Sequence, residues 1–384
     1  MPWNEILDQS DVISILRGVV ATQRIAHAYL FHGPPGVGKR AVALEFARTL
    51  QCETEADEAC GTCRPCDKVK RLIHPDVQVL LPQPSDASLE DVQARLQRLA
   101  EQPYAVVDFV RRPSLNDPGV ASNKQAFYHV ARIKEELWPS LHYNPVEGRY
   151  QIVIMIDADL LRVEAANAFL KLLEEPGPRT IFILTSNRPD LMLPTILSRC
   201  QRVGFTMLEL ESIEHALREQ VGVEASRAAI LARMAGGSFS RARELAENED
   251  LMGDRALLVD FLRQSYVMNI GKQADLIEQV SRMGTERVRG ILGLMINWLR
   301  DLMLYRIMGQ EAQLINVDQT QTVSRFVGNL PNADVDAMVS LVEDALRLVE
   351  SNVNIRLVLT ALSQSLGHAM RAPHSGELYV SLAS

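Results

Sequence analysis

Phe31-His32-Gly33-Pro34-Pro35-Gly36-Val37-Gly38-Lys39-Arg40 is the stretch on which the fold turns. The apolar run Ala28-Tyr29-Leu30-Phe31 leads into it and the amphipathic segment from Ala41 to Leu50 leads out, so it reads as strand, glycine turn and helix. Gly33, Gly38 and Lys39 keep the spacing of a phosphate loop, in which glycines let backbone N–H groups approach an anion at a helix start while lysine adds a point charge. Gly33, Gly36, Gly38, Lys39 and Arg40 are the candidate nucleotide-binding residues of the loop. Arg40 departs from the pattern. A hydroxyl belongs there to ligate magnesium, and a guanidinium repels a cation.

Outward from the loop, Gln151 to Ile156 and Thr180 to Leu184 are further short apolar runs separated by helical periodicity, which predicts an α/β fold with a parallel sheet and helices on both faces. The rhythm breaks between about Pro82 and Phe127, where Pro84, Pro103, Pro113 and Pro118 surround one helix predicted at Leu89 to Leu99. That stretch reads as an insertion lying at a surface. After Phe205 the pattern is helical. Val288, Ile291, Leu292, Met295, Ile296, Leu299, Leu302 and Met303 recur at helical spacing, as do Val339, Val342, Leu346 and Val349. The expected division is a core over 1–204 containing a cysteine module at 52–66, a small helical lid over 205–250, and an all-helical domain over 251–384.

Composition narrows the function. A chain of 384 residues with net charge −8 does not wrap nucleic acid alone, because phosphate neutralisation needs clustered Lys and Arg. Arg111, Arg112, Lys124, Arg132 and Lys134 are interleaved with Asp108, Asp117, Glu135 and Glu136, the pattern of a solvated mixed-charge face. Met1-Pro2-Trp3-Asn4-Glu5 does not begin a signal peptide, and no run reaches the roughly 18 apolar residues of a membrane span. A cytoplasmic protein without membrane contact is expected. Four of the five cysteines, Cys52, Cys60, Cys63 and Cys66, lie close together, with two-residue gaps among the last three. Four thiolates so spaced suit a closed, structural zinc site, whereas unliganded thiols or a redox pair leave the fourth cysteine unexplained. Cys200 stands apart.

The strand Gln151 to Ile156 ends in Asp157-Ala158-Asp159. Asp157 is placed to orient magnesium, but ATP-hydrolysing sites of this type keep a glutamate next to that acid to polarise water. Ala158 carries no proton acceptor. Strand alternation would put Asp159 on the side of Asp157, where it is not expected to rescue hydrolysis. Arg40 and Ala158 are independent defects that predict the same outcome, a nucleotide fold without turnover of its own.

Ala165-Ala166-Asn167-Ala168-Phe169-Leu170-Lys171-Leu172-Leu173-Glu174-Glu175-Pro176, together with Thr185-Ser186-Asn187 and Leu193-Pro194-Thr195-Ile196-Leu197-Ser198-Arg199-Cys200, resembles the signature of bacterial clamp-loader subunits of the AAA+ class. With the phosphate loop, the cysteines, His74-Pro75-Asp76 and Asn352-Val353-Asn354, the resemblance is collinear over most of the chain. It implies that Asn187 is the sensor-1 residue and that Arg199 acts in trans on a neighbour's ATP. It also implies that the last domain is an oligomerising collar. Gly236-Gly237-Ser238-Phe239-Ser240-Arg241-Ala242 resembles the sensor-2 region, with Ser240 in the position of the motor's arginine. A motor of the gamma/tau kind needs Thr or Ser at 40 and Glu at 158, and a small P-loop phosphotransferase needs the same hydroxyl without a helical tail. The two defects instead fit the delta-prime kind, the non-hydrolysing branch of the DNA polymerase III clamp loader. The partners so implied are gamma/tau-like motors and a clamp-opening delta subunit, with the sliding clamp and primed DNA reached through the assembly.

Overall fold

Every residue of strands β3 (Gln151–Met155) and β4 (Thr180–Ser186) is buried, as runs without polar alternation require when helices cover both faces of a sheet. They pair with each other and with β1 (Ala28–His32), β2 (Val77–Leu80) and β5 (Gln201–Gly204) in the order β2-β3-β4-β1-β5, every pairing parallel. Leu30 sits opposite Leu184 and Ile154 opposite Ile183. These positions come from a computed structural model describing residues 1–54, 56–109, 114–115, 125–141, 143–248, 250–351, 353–373 and 376–378. Arg111, Arg112, Asp117, Lys124 and Asn352 thus lie outside the described residues.

The period-two geometry of β1 divides its side chains between two cores. Tyr29 and Phe31 face Phe46 of helix α2 (Lys39–Gln51), with the Tyr29 and Phe46 rings edge to face at 5.2 Å. Ala28 and Leu30 join Val153, Met155, Phe182 and Leu184 against the helix Val163–Glu174, where Phe169 meets Phe182 at 5.2 Å. The sheet is therefore a three-layer structure whose strand ends are held firmly, and the strand order sets β3, β4 and β1 side by side. Their carboxyl ends carry Asp157, Asn187 and the phosphate loop, so the order of strands alone gathers three distant segments at one sheet edge.

By contact density the chain forms two units, one of residues 1–223 and 235–244, the other of 224–234 and 245–384. In the second, the helix Thr285–Met308 buries Val288, Ile291, Leu292, Met295, Leu299 and Leu302, the stripe expected from the sequence; Ile296 and Met303 are only half-buried. Arg255 forks onto Asp318 at 2.7 and 3.1 Å and onto Asn316, while the buried Asp301 carboxylate accepts from Ile315 N and Asn316 N, each at 2.8 Å. That network fastens the 314–319 turn to two helices. Asn354 caps the helix Ile355–Ala369 by accepting from Leu357 N. Among the described residues no helix is long and apolar enough to cross a membrane.

Among the described residues of the insertion, one segment packs inward while others, such as Leu89, stay exposed. Its helix α4 runs Leu89–Glu101, close to the prediction, but Tyr104, Ala105, Val106, Val107 and Phe109 beyond it are all buried. Arg95 is buried too, donating to Val107 O at 2.9 Å and stacking on the Phe109 ring at 3.7 Å. An apolar run Tyr104-Ala105-Val106-Val107 between prolines cannot lie in water at no cost, and here it packs inward.

Candidate functional site

The phosphate loop takes the backbone its glycines permit. Gly36 and Gly38 have φ of +74° and +104°, a region that side-chain-bearing residues rarely adopt. Gly38 then starts α2, and the buried Lys39 curls back so that its Nζ donates to Gly33 O at 2.7 Å and Pro34 O at 2.5 Å. Burial pushes the Lys39 ammonium down to about 8, Arg40 adding to that push while Asp157 and Asp159 oppose it.

Asp157 also sits at positive φ, +52°, with its N–H held by Thr185 Oγ1 at 3.0 Å. Its carboxylate accepts from Asn187 Nδ2 at 3.0 Å and lies 3.6 Å from the Arg40 guanidinium. Gly33, Gly36, Gly38, Lys39, Arg40, Asp157 and Asn187 are thus brought to one edge of the sheet. Asp159 is turned elsewhere: β3 stops at Met155, the chain enters a 3-10 turn over Ala158–Leu160, and strand alternation no longer applies. The Asp159 Oδ1 accepts from Ser186 Oγ at 2.9 Å and Asn187 N at 3.2 Å, which fastens the end of β4.

The cradle is filled by the chain itself. Between Gly36, Lys39, Arg40, Tyr104, Asp157 and Asn187 there remains a cavity of about 20 Å³, room on the order of a single water. A Cβ on Gly38 would stand 2.8 Å from the Tyr104 hydroxyl, and one on Gly36 2.1 Å from Ser238 Oγ. As these residues are arranged they do not fit a nucleoside triphosphate with its metal, and Arg40 supplies a positive charge beside Asp157 where an ATPase of this class keeps magnesium. Sequence reading did not find Tyr104. Its only trace is the apolar run 104–107, because the contact with Gly38 spans 66 positions of chain.

The cysteines converge as their spacing predicts. Cys52 ends α2, Cys63 precedes helix α3 (Arg64–Lys70), Cys66 lies in its first turn, and the four sulfurs are within 4.8 Å of one another. Cys52 and Cys63 are already 4.0 Å apart, where tetrahedral zinc–thiolate bonds of about 2.3 Å place sulfurs about 3.8 Å from each other. Backbone N–H groups of Cys60 and Cys63 donate to the sulfurs of Cys52 and Cys60 at 3.3 and 3.4 Å, an arrangement that favours thiolates. Hydrogen bonds to Thr62 and Cys63 hold the Cys60 thiol down to about 6. The donor set and its geometry fit a structural metal ion. Cys200 is not part of it and packs against the apolar core instead. Asp76, just ahead of β2, accepts from the N–H groups of Val146, Glu147 and Gly148 at 2.6, 2.9 and 2.7 Å, which ties the turn before β3 to the start of β2, while His74 Nδ1 accepts from Asp76 N at 3.1 Å.

Arg199 lies outside the cradle. It follows the short helix Pro194–Leu197, with its side chain 36% exposed, Nη1 donating to Thr195 O at 3.0 Å and Nη2 to Glu174 Oε1 at 2.7 Å. Glu174 is the last residue of the helix Val163–Glu174. An exposed pair of this kind is worth about 0–1 kcal/mol, so the guanidinium is readily released to a stronger anion.

Residues 8–209 match the family model described as DNA polymerase III, delta subunit, and residues 256–364 match the model of that subunit's C-terminal region. DNA polymerase III subunit delta' of Bacillus subtilis (strain 168) is 28% identical over 92% of this chain and 95% of its own length. DNA polymerase III subunit tau of Escherichia coli (strain K12) is 26% identical over 75% of this chain, which spans 39% of that longer protein. A solved chain of Thermotoga maritima, described as a DNA polymerase III gamma subunit-related protein, superposes with a TM-score of 0.46 at 16% identity, covering 94% of this chain and 100% of its own. With both family models matched over most of the chain and a delta' relative aligned over 95% of its own length, the chain belongs to the DNA polymerase III delta subunit family, in its delta' branch.

Proposed function

We propose that this chain is the stator of a cytoplasmic bacterial clamp loader. It assembles with gamma/tau-like motor subunits and a clamp-opening delta subunit, helps place the sliding clamp on primed DNA, and lends Arg199 to the ATP site of a neighbouring motor. The observation that carries this reading is the pairing of a narrow cradle in which Arg40 stands 3.6 Å from Asp157 with an arginine held at the surface by one weak ion pair. A subunit so built gains nothing from nucleotide of its own, yet it keeps the cation that a neighbour's γ-phosphoryl group needs as charge moves onto its oxygens. In this reading 205–250 is the remnant lid, 251–384 the collar through which the subunits oligomerise, and the ion in the Cys52, Cys60, Cys63 and Cys66 cluster is zinc.

Tau similarity raises the motor as a second reading. Arg40 and Ala158 weigh against it, since neither magnesium ligation nor a water-polarising carboxylate is supplied. Mixing the purified chain with motor and clamp-opening subunits tests the assembly. Co-elution as one species containing a single copy of this chain is expected, along with ATP-dependent loading of the clamp that is lost when this chain is left out. Separate elution of the chain at every concentration contradicts the proposal.

A further inference from the structure

Residues Gln102 to Ala105 follow α4, inside the insertion, and lie across the mouth of the phosphate loop. The Tyr104 hydroxyl accepts from Leu7 N at 3.2 Å, and its ring meets Phe239 edge to face at 5.1 Å. Ala105 O accepts from Arg40 Nη1 at 3.2 Å, so the guanidinium bridges the insertion and Asp157. From the opposite side, Phe239 N donates to Gly36 O at 3.1 Å, and Arg243 Nη2 donates to Gln102 Oε1 at 2.7 Å. Ser240 N also donates to Gly36 O at 3.4 Å, so the first turn of the helix starting at Phe239 is fastened to the phosphate loop both directly and through the insertion.

We infer that Gln102–Ala105 is a built-in occupant of the phosphate cradle, replacing nucleotide both as the body that fills it and as the link between the loop and the Phe239 turn. Arg40 takes the part of the metal, a cation beside Asp157. Tyr104 takes the part of the bound molecule, lying against Gly38 and supporting Phe239. Buried polar contact and aromatic packing then hold the turn in one arrangement at any concentration of ATP, which a nucleotide-gated link does not do. This inference goes beyond the stator reading and stands whether or not Arg199 acts in trans.

Hydrogen exchange and MgADP titration of the full chain test it. In the wild type, titration calorimetry with MgADP to the millimolar range gives no binding heat, and amides of 236–243 are protected equally with and without it. Tyr104→Ala speeds their exchange about tenfold, and Gln102→Ala, at an exposed position that leaves the fold intact, speeds it about threefold. The double variant Arg40→Thr/Tyr104→Ala, which restores a hydroxyl and clears the cradle, binds MgADP, and the bound nucleotide returns protection to 236–243. The inference is overturned if wild-type protein binds MgADP with a Kd below about 0.1 mM, if both single variants exchange at the wild-type rate, or if the folded double variant fails to bind MgADP. Loss of clamp loading by Arg199 variants has no bearing on these readouts, so failure of this inference and failure of the stator proposal are separately visible.

Discussion

Replacing Arg199 by alanine is expected to slow hydrolysis at the neighbouring motor site by about 10³-fold or more, the scale on which trans-acting arginines control phosphoryl transfer. The guanidinium is only lightly engaged at home, through the Thr195 carbonyl and Glu174, so it can exchange these acceptors for phosphate oxygens without disturbing a core. For the same reason Arg199→Ala should leave the stability of the isolated chain within about 0.5 kcal/mol of wild type. Arg199→Lys should recover only part of the rate, because an ammonium gives charge without a planar fork. The measurement is single-turnover ATP hydrolysis in an assembly reconstituted with motor and clamp-opening subunits, with thermal unfolding of the free chain as the control. Equal rates for wild type and Arg199→Ala count against a trans role.

Loss of the cysteine cluster should act on the fold itself. Cys66 is buried at the start of α3, and the residues between Cys52 and Cys66 bury little apolar surface that would hold them without an ion. Cys66→Ser is expected to remove one equivalent of bound zinc per chain and to destabilise the protein by about 4 kcal/mol or more, the range reached when a structural metal is lost. Elemental analysis and denaturant unfolding read the two effects, and amide exchange should rise most across 52–70. Cys200→Ser, outside the cluster, should keep the metal. Full zinc content in Cys66→Ser, or none in the wild type, contradicts the assignment.

What could be read from the sequence follows from how far each feature reaches along the chain. The phosphate loop was legible because its glycines and lysine specify a local backbone, and the cysteines because four thiols within fifteen positions have few other uses. The strand β5 left no comparable trace: Gln201, Arg202 and Gly204 are exposed, and only pairing with β1 makes that segment extended. Asp159 was placed by an alternation rule that ends with the strand at Met155, whereas one oxygen of its carboxylate accepts from Ser186 and Asn187. Prolines and polar residues dominate the composition of the insertion and hide the one run, Tyr104 to Val107, that packs inward through contacts far away in sequence. The pairing of Arg40 with Asp157 joins two residues read separately as defects, and only the strand order brings them together.

A nucleotide fold that has closed its own cradle should show no chemistry alone, and steady-state hydrolysis of MgATP by the purified chain measures this most directly. The expected result is turnover indistinguishable from buffer, at any magnesium concentration and with or without primed DNA. Hydrolysis by the chain alone at a motor's rate, on the order of 1 per second or faster, would contradict it, above all if Lys39→Ala abolished that rate.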